Sequence, residues 1–184
     1  ATAYHLARYH GMRNVAVFEK SYIGGGNTGR NTAIIRSNYL TPEGVAFYEE
    51  SVALYRNLSR ELDYNILYSE RGHFTLAHTD AALRTSRWRA EVNKHLGVDS
   101  ELVLRDDLAR LIPQLNLSED VRYPVLGASL QRRGGVARHD AVAWGYARAA
   151  DARGVDIIQN CEVTGIRRKG GRVTGVETAK GFIA

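Results

Sequence analysis

The feature that most limits what this chain can fold into is a helix, a strand and an acid in close succession, followed by a run of glycines. Residues 1–10 are alanine-rich, with Ala3, Leu6 and Ala7 on one face of a predicted helix that Gly11 ends. Residues 14–18 read as a short buried parallel strand, because Val15, Val17 and Phe18 leave no half-exposed face. Glu19 closes that strand, and the glycine-rich stretch from Gly24 to Gly29 follows. A dinucleotide site of the Rossmann type needs a glycine turn, a helix whose N-terminus faces the pyrophosphate, and an acid after the second strand to take the ribose hydroxyls. The chain carries the later half of that pattern, and Glu19 would lie about twenty residues beyond glycines that precede Ala1. The run at Gly24 lets backbone approach a phosphate closely, and Asn27, Thr28, Arg30, Asn31 and Thr32 offer donors. Its plainer reading is a flexible loop of turn residues.

Beyond the glycines the chain alternates helices and strands. Pro42 opens a helix that runs to about Leu62, with Phe47, Val52, Leu54, Tyr55 and Leu58 near helical spacing. A single strand is expected from Leu67 to Ala77, then a helix from Asp80 to His95 stopped by Gly97. Asp106 and Asp107 begin a short helix that Pro113 ends. Tyr123 to Leu130 reads as a strand and Arg132 to Asp140 as a loop, with Asp140 placed as the N-cap of a helix to about Arg153. An antiparallel meander completes the chain, with strands near 157–168, 172–178 and from Phe182, turned at Gly170-Gly171 and Lys180-Gly181. The first helix has nothing before it to cap it and the last strand is cut short, so a fragment of a longer protein is expected.

Composition narrows the function classes. The net charge of +5 comes from dispersed arginines. Arg84, Arg87 and Arg89 alternate with Ser86, Trp88 and Glu91 on an amphipathic helix, a solvated face and not a nucleic-acid patch. Apolar runs are strand-length, far below the roughly 20 residues that cross a bilayer, so no membrane helix is expected. No signal peptide is legible at the start. The single cysteine, Cys161, excludes an intrachain disulfide framework and suits a reducing cytoplasm. The histidines show no metal spacing backed by carboxylates, and His5, His10, His73, His78 and His95 are read as structural or exposed.

Glu19-Lys20, the stretch from Gly24 to Thr32, Ile34-Ile35-Arg36-Ser37-Asn38-Tyr39, Arg122 to Ala128 and Gln131 to Trp144 closely resemble the β-subunit family of heterotetrameric sarcosine oxidases, over essentially the whole chain. That family lies within the glycine-oxidase-like and D-amino-acid-oxidase-like flavoproteins. The resemblance implies an α/β fold: an FAD-binding Rossmann-type parallel sheet with a β-meander over residues 1–45 and 136–184, incomplete at both ends, and part of an α+β substrate-binding region over 46–135. It implies a flavin-dependent oxidoreductase that oxidises the N-methyl group of sarcosine, by hydride transfer to FAD, with electrons passing to a covalent FMN and then to oxygen. Implied partners are the secondary amine, the other subunits of a heterotetramer and, for the one-carbon unit, tetrahydrofolate.

Carried across by position, Glu19 is the implied ribose ligand of FAD, Asn27, Arg30, Asn31 and Thr32 are neighbours of the flavin or its phosphates, and Val163 lies on the strand that meets the adenine end. Arg36 stands where relatives grip the substrate carboxylate, a task that suits the planar fork of a guanidinium. Its plainer reading is a surface arginine or a structural ion pair. Ala33 departs from monomeric relatives, which place a second arginine there. His139 is the implied point of covalent FMN attachment, with Arg132, Arg133 and Arg138 as a positive cluster for the FMN phosphate. Two alternatives remain: a single-flavin oxidase or dehydrogenase for another secondary amine such as dimethylglycine, with His139 unmodified, and a non-catalytic FAD-binding module.

Overall fold

The computed structural model describes residues 1–184, and the chain divides into two compact units. Unit 1 comprises residues 1–32, 59–67 and 138–184, and unit 2 comprises 33–58 and 68–137. The first crossing between the units follows residue 32. The physical reason is strand pairing, because Ile34 and Ile35 form strand β2, which is bonded to Gly135–Val136, strand β7, well inside unit 2.

In unit 1, helix α1 (Thr2–Tyr9) is followed by strand β1 (Ala16–Phe18). β1 pairs in parallel with β8 (Asp156–Ile158) and with no other strand, so Val17 is 37% exposed and the expected full burial of this strand is not found. Helix α5 (His139–Asp151) supplies the connection into β8 and buries Gly145, Ala149 and Ala150. Gly145 is there because an added Cβ would come within 3.1 Å of the Leu62 side chain and 3.2 Å of the Tyr64 ring. The expected strand from 157 to 168 is in fact two, β8 and β9 (Val163–Lys169), because Asn160 turns the backbone into the left-handed region at φ 51°. β9 then forms an antiparallel meander with β10 (Arg172–Thr178) and β11 (Gly181–Ile183), turned where expected.

Unit 2 contains most of α2 (Pro42–Glu61), whose start and length follow the sequence pattern. The expected strand 67–77 is broken into β3 (Ser69–Glu70) and β4 (His73–Ala77), with Gly72 at φ 85° between them. β4, β6 (Gly127–Gln131) and β5 (Ser100–Leu104) make an antiparallel sheet with β6 in the centre, and β2, β7 and β3 make a second. β6 starts at Gly127, so residues 123–126, expected as strand, lie outside it. A separate strand, β7, sits in what the sequence suggested was loop. Helices α3 (Asp80–His95) and α4 (Arg105–Leu111) flank the sheet of β5 and β6. Thr79 caps α3 by accepting the Ala82 N–H at 3.1 Å.

The strand register sorts the β4–β6–β5 sheet into two faces. Leu130 and Ala128, with Val103, Leu108 and Val125, form an apolar core packed by Phe74 and Leu76. Gln131 is opposite both His73 and Ser100, so those three side chains share the other face. No helix is long and apolar enough to cross a membrane. Leu108 is fully buried in the apolar cluster, so Leu108→Ala should destabilise the folded protein by about 2–5 kcal/mol. Urea unfolding of the full-length protein would show this as a lower midpoint at unchanged slope.

Candidate functional site

The nucleotide side is built from the end of β1. Glu19 donates its backbone N–H to the Ile158 carbonyl at 2.9 Å and accepts the Cys161 N–H at 2.9 Å, which extends the parallel pairing to the acid itself. Its half-buried carboxylate accepts the Ser21 N–H at 2.9 Å through Oε1. One carboxylate oxygen thus fixes the local turn, and Oε2 keeps its acceptor capacity for a hydroxyl. Asn160 N–H donates to the Ser21 carbonyl at 2.9 Å, and Ile23 N–H donates to Gln159 Oε1 at 2.8 Å, so the chain after Glu19 is stitched to the end of β8.

The glycine run is a closed turn, not a slack loop. Gly24 has φ 84°, and a Cβ at Gly29 would sit 2.6 Å from the Gly24 carbonyl oxygen, so that position accepts only glycine. A short 3-10 turn at Asn27–Arg30 packs against α5. Asn27, Arg30, Asn31 and Thr32 all lie exposed, with Asn31 donating to the Thr28 carbonyl. Val163, the first residue of β9, is 41% exposed.

His139 is the first residue of α5 and half-buried, and its Nδ1 is buried with no hydrogen-bond partner. Asp140 does not cap this helix. The cap position is Arg138, and the Asp140 carboxylate instead takes the Arg138 Nε at 2.9 Å and Nη2 at 2.6 Å. A bidentate fork within two residues satisfies both oxygens of the acid, which a single capping bond does not. The Arg138 hydrogen bond holds the Asp140 carboxyl down at about 2. The expected arginine cluster is likewise absent as a free positive patch. Arg132 is ion-paired to Glu101 at 2.5 Å, and Arg133 to Glu49 at 2.9 Å and Asp99 at 3.1 Å, all within unit 2. Consecutive arginines in a sequence do not disclose the acids that the fold brings to them.

In unit 2, Arg36 follows β2 and is half-buried. Its Nη1 donates to Asn38 Oδ1 at 2.8 Å and its guanidinium carbon lies 4.5 Å from the centre of the Tyr39 ring. Tyr39 in turn stacks on Tyr48 at 4.1 Å. Arg36 forms no ion pair, which removes the structural salt bridge from its possible roles. Ala33 adopts φ 61° and its carbonyl accepts the Ala137 N–H at 3.1 Å, anchoring the approach to β2.

The sequence reading places His73 among structural or exposed residues and gives Gln131 no role of its own. The His73 Nδ1 is buried without a partner, and burial, with Arg36 and Arg89 nearby, pushes its imidazole below the ordinary value. The only signal was the β4–β6 register, which no local pattern displays.

An acid-ended parallel strand, a closed glycine turn on a helix and a separate antiparallel sheet followed by an arginine without an ion pair are features of a nucleotide-binding α/β fold. Comparison with known proteins agrees. The family model described as FAD dependent oxidoreductase (DAO) matches residues 1–184, and the chain belongs to that family. It is 55% identical to the sarcosine oxidase subunit beta of Rhizobium meliloti (strain 1021) over 183 residues, 100% of this chain and 44% of that protein. It is 52% identical to the sarcosine oxidase subunit beta of an Arthrobacter species, again over 100% of this chain and 45% of the relative. Among solved structures, the L-proline dehydrogenase of P. horikoshii superposes with a TM-score of 0.87 at 28% identity, over 98% of this chain and 46% of that one. The chain therefore spans less than half the length of the curated relatives it matches.

The Arg138–Asp140 pair gives a pH prediction. Because the folded carboxyl titrates below its free value, the pair contributes at pH above about 4 and is lost as the pH falls toward about 2. Arg138→Ala should return the Asp140 carboxyl toward about 3.9, read from its 13C chemical shift against pH. An unmoved titration would show that the fork does not set it.

Proposed function

We propose that this chain forms part of a flavin-dependent oxidoreductase that demethylates sarcosine oxidatively to glycine. The observation that carries the reading is Arg36, a half-buried guanidinium held by an amide oxygen and an aromatic face, with no acid of its own. Such a group receives a ligand carboxylate in a planar, bidentate manner, and sarcosine carries a carboxylate one carbon from its secondary amine. The family supports FAD as the cofactor, and the two relatives named sarcosine oxidase subunit beta support the choice of amine.

In this reading Glu19 holds the ribose of FAD through the oxygen that Ser21 leaves unused. Asn27, Arg30, Asn31 and Thr32 lie along the flavin or its phosphates, and Val163 lies near the adenine end. His139, whose Nδ1 has no partner in the fold, is the attachment point for a covalent FMN. Arg138 reaches that FMN only in competition with Asp140. When bound, FAD supplies the hydride acceptor and FMN the route of the electron pair onward to oxygen. Once the amine is unprotonated, the hydride leaves the N-methyl carbon with its electrons and the nitrogen lone pair closes the iminium, so that step itself removes no proton. Arg36 fixes the carboxylate and thereby the position of the methyl group. The remaining partners in the reading are the other subunits of a cytoplasmic heterotetramer and tetrahydrofolate as acceptor of the one-carbon unit.

Two measurements on the full-length protein with its subunits test this. Arg36→Ala should lower kcat/KM for sarcosine by about ten- to a hundredfold, the worth of a charge-assisted hydrogen-bonded contact, and unchanged kinetics would remove Arg36 from the site. Peptide mass analysis should find an FMN-sized adduct on the peptide that bears His139. A clean, unmodified peptide from protein made with ample flavin would favour the single-flavin alternative for an amine such as dimethylglycine.

A further inference from the structure

Gln131 is wholly buried at the end of β6, and every polar atom of its side chain is used. Its Oε1 accepts two successive backbone N–H groups, Ser37 at 2.9 Å and Asn38 at 3.2 Å. Its Nε2 donates to the Ser37 hydroxyl, and that hydroxyl donates to Glu49 Oε1. Glu49 Oε2 is ion-paired to Arg133 at 2.9 Å, and Arg133 holds Asp99 through its Nε at 3.1 Å and its backbone N–H at 2.7 Å. A chain of amide, hydroxyl, carboxylate and guanidinium, buried at Gln131 and Ser37 and partly exposed at Glu49 and Arg133, therefore links β6 to the segment just after Arg36.

This placement has a consequence for Arg36. Strand β2 ends at Ile35, so residues 37 and 38 have left the ladder, and a side chain takes the place of a neighbouring strand as their acceptor. Both groups that orient the guanidinium sit on that clamped backbone. Asn38 provides the oxygen that Arg36 Nη1 meets, and Tyr39 provides the ring beneath it. The Tyr39 carbonyl is held in addition by Asn93 Nδ2 at 2.9 Å. If Gln131 shifts, Asn38 and Tyr39 shift with the backbone, and the guanidinium loses both of its guides.

We propose that Gln131 is a positioning residue for carboxylate recognition: it clamps the backbone of Ser37 and Asn38 so that Arg36 is presented in one orientation to the carboxylate of the amine substrate. This rests on the reading of Arg36 as the carboxylate ligand. The effect is preorganisation, because a planar fork pays off only when its direction is fixed before binding. A point charge on a flexible stem has no such requirement.

The test is a double-mutant cycle on the full-length protein with its subunits and flavins, reading the affinity for acetate through the flavin absorbance and KM against kcat for sarcosine. Gln131→Leu, which leaves two buried N–H groups without an acceptor, should weaken acetate by about tenfold and raise KM more than it lowers kcat. Gln131→Asn keeps the amide but withdraws its oxygen by one methylene, and should give the same direction if the leucine variant does not accumulate folded. In an Arg36→Lys background either substitution should change acetate affinity by less than about twofold, since an ammonium has no planar fork for Asn38 and Tyr39 to direct. Equal losses in the two backgrounds, or none in either, would overturn the positioning role while leaving Arg36 as the ligand. If Arg36→Ala itself leaves acetate affinity unchanged, the carboxylate reading fails, and this inference fails with it.

Discussion

The backbone bond from Glu19 N–H to the Ile158 carbonyl is the contact on which the rest of the nucleotide side depends. A parallel pair of three residues is short, and its register is set by whichever bonds extend it. Here the extension runs through the acid and on to Cys161, so the carboxylate leaves the strand end in one direction. Its own bond to the Ser21 N–H then turns the chain toward the glycines. The closed turn from Gly24 to Gly29 packs on α5, which leads back into β8, the strand that holds Glu19. The arrangement is a loop of mutual support in which the acid proposed as the ribose ligand is also a structural one.

Unit 2 uses a different device for the same end. Its sheet has one apolar face, centred on Leu130, Ala128 and Leu108, and one face on which His73, Gln131 and Ser100 form a polar row. A buried polar row costs least when its members are bonded. Gln131 meets that condition by reaching outside the sheet to the backbone beyond β2. His73 leaves its Nδ1 unpaired, and burial pushes its imidazole below the ordinary value. The polar row thus joins a requirement of the fold to the placement of an arginine that has no acid beside it.

Much of this was legible in the sequence. The helix–strand–acid order, the long helix from Pro42, the helix from Asp80 and the turns of the meander all arise from local pattern and stop signals, and the structure has them in place. The errors came where a non-local partner decides. Asp140 has the chemistry of a cap but lies two residues from an arginine whose fork it accepts. Arg132 and Arg133 look like a free positive patch until the fold delivers Glu101, Glu49 and Asp99. The break at Asn160 between β8 and β9 carries no glycine or proline to mark it, and Gly135-Val136 is too short to announce a strand. Gln131 and His73 acquire their importance from cross-strand register alone.

Glu19, the acid at the end of β1, is proposed to bind a sugar hydroxyl of FAD. The most direct measurement is the FAD dissociation constant of the full-length protein carrying Glu19→Ala, with FAD quantified after acid release so that covalently bound flavin is not counted. Loss of a charged hydrogen-bonding partner predicts affinity weaker by about tenfold or more, with the fold retained. FAD held as tightly as by the unaltered protein would contradict the assignment.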